Sequence, residues 1–420
     1  MEYSDCKKKV IVLGAGSFAH STLSILQSAG VSGTTCLTKK IGKYPAELVG
    51  KVIQIESLAD ELRNAHYDLV IPMSLDWPSI PGTEIINEKK IPVFGPPPGG
   101  LLIERDRNFA SELCRQFGIS VPESKVASNR IEAERILAER NNLTVIKNPL
   151  CAPNSPIQAI VCESNAETRA WFEKIDYSEG VFLQEYMGRH EVGHVAFVSH
   201  GEIYPVATNQ EYKRCFSGNM GSIAGAPLGG IVEKDTEDKY GLVADLLTPL
   251  LPWLREVNYH GPIQVTAARK NNKWHVLEYN ARIGVTSGPL IMRMLRNPYE
   301  AMIQIATNQK FSVEFLEGIN FGCSISLAGH GFPYPEVGSP NVPITIEGDV
   351  DCDLWWNQVA LSNSKNHHVT LGQRILDINT VSYDLTGALD SAYSNIRKIK
   401  CGGSYYRTDI GDCLWPPGQS

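Results

Sequence analysis

The feature that most constrains this chain is that the short apolar runs of its first hundred residues do not alternate. Apart from a charged first residue in the first two, Lys9-Val10-Ile11-Val12-Leu13, residues 68–72 and residues 92–94 run apolar through consecutive positions, with helical stretches between them. A strand that is apolar on both faces needs cover on both faces, which is the situation of a parallel sheet wrapped by helices. The first run leads into Gly14-Ala15-Gly16-Ser17 and a helix expected over 19–28, and a second strand is expected to end near Leu37. The cluster Gly95-Pro96-Pro97-Pro98-Gly99-Gly100 then breaks regular structure and marks a boundary.

Beyond that boundary, residues 102–117 carry apolar side chains at helical spacing, and Gly118 follows as a C-terminal stop. Strands are expected over 144–147, 157–162 and 181–184, with a helix over 166–175. Two hairpins are expected, one pairing 194–199 with 203–207 around His200-Gly201-Glu202. The other pairs 263–269 with 274–279 around Lys270-Asn271-Asn272-Lys273. A further α+β stretch runs from about Gly322. A chain of 420 residues exceeds what one core usually serves, so about two to four domains are expected.

Bulk composition removes several function classes. A net charge of −7 argues against nucleic acid or an acidic membrane as partner. No apolar run approaches the length that crosses a bilayer. The run after Lys7-Lys8-Lys9 is interrupted early by glycines, so it reads as a first strand and not as a signal peptide. The ten cysteines are scattered without a Cys-x-x-Cys pair. They are expected to be reduced thiols in a cytoplasmic protein, with no zinc site.

Four features carry candidate chemistry, and each has a plainer alternative. Gly14-x-Gly16 after a strand can set backbone N–H groups and a helix N-terminus against a phosphate, or can be only a tight turn. Glu278-Tyr279-Asn280-Ala281-Arg282 ends a strand, so Glu278 and Asn280 project together. Two oxygen ligands at that spacing suit Mg²⁺, and Arg282 could grip a phosphoryl group or a carboxylate; the alternative is an exposed polar strand end. Lys147 at a strand terminus and Lys213-Arg214 in a loop are basic positions that, alone, read equally as solvated charges. Gln184-Glu185-Tyr186-Met187, with Glu191 beyond, could meet an adenine edge and ribose hydroxyls, or be an ordinary strand end.

Their order along the chain is more informative than any one of them. A strand-end lysine, a strand-to-loop segment with a glutamate, a basic loop and then E-x-N-x-R is the serial layout of the ATP-grasp fold. Within that fold the chain resembles the phosphoribosylamine–glycine ligases nearly end to end. The resemblance is carried by GPPPGGLLIERDRNFASELCRQFGISVPES, TVIKNP, FLQEYMGRHEVGHVAFVSHGEIYPVATNQEYKR and HVLEYNARIG, and by the tail VTLGQRILDINTVSYDLTGALDSAYSNIRKIKCGGSYYRTDIGD. It implies α/β and α+β architecture: an N-terminal parallel-sheet domain (1–100), a central ATP-grasp domain (101–122 and 190–325), a lid subdomain (123–189) and a small C-terminal α+β domain (326–420).

The resemblance also implies roles. Arg107, a lysine in the family, and Lys147 would bind ATP phosphates; Gln184, Glu185, Tyr186 and Met187 would receive adenine, and Glu191 the ribose. Glu278 and Asn280 would hold Mg²⁺, while Arg282, Lys213 and Arg214 would stabilise the transferring phosphoryl group and the acyl phosphate. The implied partners are a small carboxylate and an amine, with no nucleic acid and no membrane, and the oligomeric state is open between monomer and homodimer.

The chain departs from the family at its pockets. The flexible glycine-rich loop after the strand lysine is here Leu150-Cys151-Ala152-Pro153-Asn154-Ser155-Pro156-Ile157, where prolines remove N–H donors and stiffen the backbone. The family's GGREHA motif is here Gly16-Ser17-Phe18-Ala19-His20-Ser21, without its arginine and glutamate, and VGPEAPL is Ile71-Pro72-Met73-Ser74-Leu75-Asp76-Trp77. GDPETQ becomes Gly284-Val285-Thr286-Ser287-Gly288-Pro289, and a longer glycine-rich stretch shortens to residues 216–222. The leading expectation is therefore an ATP-dependent carboxylate–amine ligase for a small amino acid in a specialised or nucleotide-modifying pathway. The alternatives are a genuine phosphoribosylamine–glycine ligase, and a non-catalytic protein that keeps the fold.

Overall fold

A computed structural model of the chain describes residues 8–37, 42–140, 142–151, 159–334, 337–338, 340–364 and 366–412. The chain opens with β1 (Lys9–Leu13), α1 (Ser17–Ser28), β2 (Ser32–Cys36), β3 (Lys51–Ile53), α2 (Leu58–Asn64), β4 (Leu69–Pro72) and α3 (Glu84–Glu88). The four strands form a parallel sheet in the order β3-β2-β1-β4. The lack of alternation has the expected cause. Val10 and Val12 enter one core with Leu23 and Leu26 of α1, while Ile11 and Leu13 enter another with Leu58, Leu62 and Ile85. The strand expected over 92–94 shrinks to a single parallel bridge between Val70 and Val93. Pro92 brings no N–H, and Pro96 to Pro98 follow, so the segment lacks the donors a longer ladder needs.

The helix expected over 102–117 is two helices, α4 (Leu102–Arg105) and α5 (Arg107–Gln116). The break is Asp106, whose extended backbone lets its carboxylate accept from the N–H groups of Asn108 and Phe109, both at 2.9 Å. An aspartate at a helix N-cap is strongly favoured, and here it wins over continuous helical spacing. Gly118 ends α5 in the left-handed conformation (φ +69°), as its position implies.

Next come β5 (Ser124–Ala127), α6 (Arg130–Ala138), β6 (Thr144–Lys147), β7 (Ala159–Val161), α7 (Asn165–Phe172) and β8 (Val181–Glu185). Their strands form an antiparallel sheet in the order β5-β8-β6-β7, covered by α6 and α7 over a core of Ile136, Leu137, Ile146, Phe172 and Leu183. Most of the proline-containing loop, residues 152–158, lies outside the described residues.

The large sheet follows. It draws on β9 (Val192–Ser199), β10 (Glu202–Glu211), β13 (Gly229–Lys234), β14 (Gly261–Lys270), β15 (Lys273–Asn280) and β16 (Phe321–Gly329). The short ribbon β11 (Arg214–Phe216) and β12 (Met220–Ile223) stands apart from it. Helices α8 (Leu242–Leu246) and α9 (Leu251–Glu256) pack on one face, and α10 (Ser287–Met294) and α11 (Pro298–Ala306) pack on the other. Both expected hairpins form, and His200-Gly201 and Asn271-Asn272 turn with positive φ at both residues, the geometry that matches strand twist.

The tail adds β17 (Pro343–Ile346), β18 (Asp353–Trp356), β19 (Val359–Leu361), β20 (His368–Thr370), β21 (Arg374–Ser382), α12 (Leu385–Ile396), β22 (Ile399–Cys401) and β23 (Ser404–Tyr405). The large sheet reads β15-β14-β9-β10-β13-β16-β21-β18, with β23 beside β16, so β16 spans the division expected at 325/326. No helix among the described residues is long and apolar enough to cross a membrane.

Candidate active site

The site begins with a register shift. β14 and β15 pair antiparallel, yet Thr266 faces Glu278 while Ala267 faces Val276, so Leu277 is an extra residue. Such a bulge reverses the parity of everything after it. Trp274 and Val276 before it, and Tyr279 after it, all enter one core. Glu278 and Asn280 are thereby turned together to the other face. Without the extra residue, period two would send Glu278 into that core with Val276.

On the free face Glu278 meets the cations expected from the sequence. Lys213, in the link between β10 and β11, donates to Glu191 at 2.7 Å and to Glu278 at 3.1 Å. Arg107, at the start of α5, places its guanidinium 3.8 Å from the other oxygen of Glu278. Lys147, at the end of β6, is buried and donates to Gln184 of β8 at 2.9 Å. Burial pushes the Lys147 ammonium down to about 8, with Arg107 adding to the shift and Glu278 and Glu191 opposing it. Burial also works against Lys213, but Glu191, Glu278 and Glu211 together outweigh it and hold that ammonium well above its usual range. Lys213 in turn keeps the Glu278 carboxyl ionised far below the usual carboxylate range, against the effect of burial.

A residue not singled out in the sequence organises the rest. Glu104 of α4 is 4% exposed, and its carboxylate accepts from the Ala281 N–H at 2.6 Å and from Asn280 Nδ2 at 3.3 Å. It also pairs with Arg282 Nη2 at 3.0 Å and raises the Arg282 guanidinium further above its ordinary value. Its only sequence signal is an acid directly after the apolar stretch Leu101-Leu102-Ile103. Because the Asn280 amide nitrogen is engaged, its carbonyl oxygen is the atom offered to a cation. An ionised Glu278 and that carbonyl, two positions apart, fit Mg²⁺, which takes few protein oxygens and fills its shell with phosphate and water.

A second polar group stands one strand over. Gln264 lies directly opposite Asn280, and Asn209 lies opposite Gly193. Asn209 Oδ1 and Gln264 Oε1 are buried acceptors with no hydrogen-bond partner among the described residues. Two glycines leave room for these amides. A Cβ at position 193 would lie 2.4 Å from Asn209 Oδ1, and one at position 284 would lie 3.1 Å from Gln264 Oε1 and 3.8 Å from Glu211 Oε1. Ser287 joins the group, donating to Glu211 at 2.9 Å and accepting from Asn209 Nδ2 at 2.9 Å. Buried acceptors beside a carboxylate, short of donors, suit an ammonium group.

The remaining expected residues sit at the margin. Arg214 donates to the carbonyl of Gly221 at 2.8 Å and approaches Glu163 at 3.8 Å, so it does not join the Glu278 cluster. The Glu185 carboxylate binds Lys270 and Asn142, each at 2.7 Å. The Tyr186 N–H, just past the end of β8, donates to the Leu143 carbonyl at 2.8 Å. At the N-terminal side, Phe18 lies under the Arg282 guanidinium at 5.9 Å from its ring centre. A separate group, His194, Asp235 and Asp238, also has metal-ligand atoms close together. Its four carboxylate oxygens already accept from Thr208, Lys239, Val243 and Ala244, so it reads as structural.

Residues 105–286 match the family model described as the phosphoribosylglycinamide synthetase ATP-grasp (A) domain. The chain is 26% identical to the phosphoribosylamine–glycine ligase of Listeria innocua serovar 6a, covering 96% of this chain and 99% of the relative. Among solved structures it is similar to phosphoribosylamine–glycine ligase from Thermotoga maritima, with TM-score 0.77 and 21% identity, covering 96% of this chain and 100% of that one. It is also similar to a biotin carboxylase complex from Campylobacter jejuni, with TM-score 0.67 and 13% identity, covering 95% and 93% of the two chains.

Proposed function

From a chain that has the ATP-grasp fold and resembles the phosphoribosylamine–glycine ligases over nearly its whole length, we propose a carboxylate–amine ligase whose acid is a small amino acid. The chain is an ATP-grasp ligase forming a carbon–nitrogen bond. The observation that carries the choice of acid is the continuity of two half-sites on one sheet face. Cations gather at Glu278, and at Gln264, opposite Asn280, buried acceptors wait for donors.

In this reading residues 123–189 are the lid, 1–100 the amine-side domain, 101–122 and 190–325 the central domain, and 326–420 the C-terminal domain. Arg107 and Lys147 hold phosphates, the strip Gln184 to Met187 receives adenine, and Glu191 the ribose. Glu278 and Asn280 would hold Mg²⁺, which when bound draws phosphate charge away from the reacting oxygen. Glu211, Gln264 and Asn209 orient the amino acid through its ammonium group. Its carboxylate oxygen attacks the γ-phosphorus, the bond to ADP breaks, and Arg282 and Lys213 neutralise the charge that shifts. The amine nitrogen then attacks the acyl carbon, phosphate leaves, and the amine loses a proton.

The relatives' printed names support glycine and phosphoribosylamine as the pair, the reading placed second from the sequence alone, better than a specialised pathway. A different amine remains the second reading. It is favoured by Phe18 stacked under Arg282 where the family carries a charged motif. ADP release with MgATP and a panel of amino acids, each with hydroxylamine and then with phosphoribosylamine, tests both. Glycine-dependent hydroxamate together with turnover of phosphoribosylamine supports the purine-type pair. Hydroxamate without that turnover moves the amine to the second reading, and no ADP with any acid defeats the ligase itself.

A further inference from the structure

The Lys213 ammonium is held at one end by Glu191 and Glu278. The Tyr212 N–H donates to the Gly229 carbonyl at 2.9 Å, the Leu228 N–H donates to the Tyr212 carbonyl at 3.0 Å, and the Ala224 N–H donates to the carbonyl of Lys213 at 2.8 Å. Lys213 precedes the two-stranded ribbon β11–β12, whose tip exposes Phe216 and Met220. A two-stranded ribbon alone is marginal in water. A second set of supports, the one made by side chains, comes from the far end of the sequence. Arg407 is fully buried and forms a two-point pair with Asp409, Nε to Oδ1 at 2.9 Å and Nη2 to Oδ2 at 2.7 Å. Its remaining nitrogen, Nη1, donates to the carbonyl of Arg214 at 2.8 Å, and the guanidinium lies 5.0 Å from the ring centre of Tyr212. One side chain thus grips the residues on both sides of Lys213.

Its neighbours extend the grip. Asp409 accepts from the Gly218 N–H at 2.9 Å, the Thr408 N–H donates to Ser217 Oγ at 2.9 Å, and the Gly411 N–H donates to the Tyr212 hydroxyl at 2.9 Å. A fully buried guanidinium with all of its bonds directed at one carboxylate and one loop is an expensive arrangement for packing alone, since truncating one partner strands the other charge. We propose that Arg407, seated by Asp409, is a positioning residue for the ligase reaction, fixing the Tyr212–Arg214 backbone so that Lys213 reaches Glu191 and Glu278. The inference rests on the ligase reading above. The chemistry needs the planar fork, because a lysine ammonium is a single point and cannot hold Asp409 in a fork and the Arg214 carbonyl together.

The test uses the full chain, the hydroxylamine-trapped assay, and Arg407→Lys, Asp409→Asn and Arg407→Ala. Expected for Arg407→Lys and Asp409→Asn is a fall in kcat of about 10- to 100-fold with KM for MgATP within about threefold. Their near-UV circular dichroism should stay native at the assay temperature. Guanidinium at low millimolar concentration should restore part of the activity of Arg407→Ala, whereas a merely unstable fold would lose more. Should Arg407→Ala fail to fold, the two milder variants decide. A kcat within twofold of wild type in both overturns the inference, as does a loss that follows only the unfolded fraction. Wild-type protein without ADP release would sink the ligase reading instead, so the two failures are distinguishable.

Discussion

Lys147 gives the site a specific pH dependence. Its ammonium is buried against Gln184 and lowered to about 8 in the free protein, below the ordinary 10.5. Bound phosphates would restore the proton, so binding MgATP above neutrality draws a proton in. If the bound form stays protonated, the apparent Kd scales with one plus ten to the power of pH minus 8. It then rises about tenfold between pH 7 and pH 9, or about 1.4 kcal/mol. At pH 8 about half a proton should be taken up per nucleotide. Calorimetric titration in two buffers of different ionisation enthalpy reads both quantities. The sign for stability is opposite. A lysine lowered in the folded state destabilises the fold fully below about 8, and that effect is relieved as pH climbs from there toward 10.5. Affinity should therefore fall over the same window in which Lys147 ceases to destabilise the free protein. A Kd flat from pH 7 to 9, or one that rises equally in Lys147→Met, would refute the reasoning.

Two other perturbations follow from residues that the sequence did not single out. Glu104→Gln keeps the volume but removes the charge paired with Arg282. kcat should fall by about 100-fold, and denaturant unfolding should show a loss of about 2–3 kcal/mol, below the deep-core range because Arg282 is partly solvated. Glu211→Gln should raise the KM for the amino acid by about 10- to 100-fold while leaving the KM for MgATP unchanged. Acid-saturation curves in the hydroxamate assay separate the two constants.

Much of the backbone was legible because it rests on local rules. The unbroken apolar run Val10–Leu13 required cover on both faces, and Val10 and Ile11 do enter opposite cores. Gly118 and the turn pairs His200-Gly201 and Asn271-Asn272 sit where positive φ is needed. Local reading failed where two local signals competed. Apolar spacing over 102–117 argued for one helix, while Asp106 satisfied the orphan N–H groups of a second and split it. Near residues 92–94, apolar content argued for a strand that prolines could not sustain.

The order of chemical groups along the chain, from Lys147 through Gln184, Glu191 and Lys213 to Glu278, Asn280 and Arg282, was enough by itself to point to phosphoryl chemistry of the ATP-grasp kind. Spacing says which residue types recur, because strand and helix periods are local properties of the backbone. What spacing cannot say is which distant side chains meet. The bulge at Leu277 that turns Glu278 away from the core, Glu104 reaching across from α4 to Asn280 and Arg282, and Arg407 gripping both neighbours of Lys213 were all decided by packing. Each depends on strands and helices far apart in sequence closing on one another. That closure is driven by burial of surface with no positional code in the chain, and charges are then settled by whichever partner the fold brings within reach.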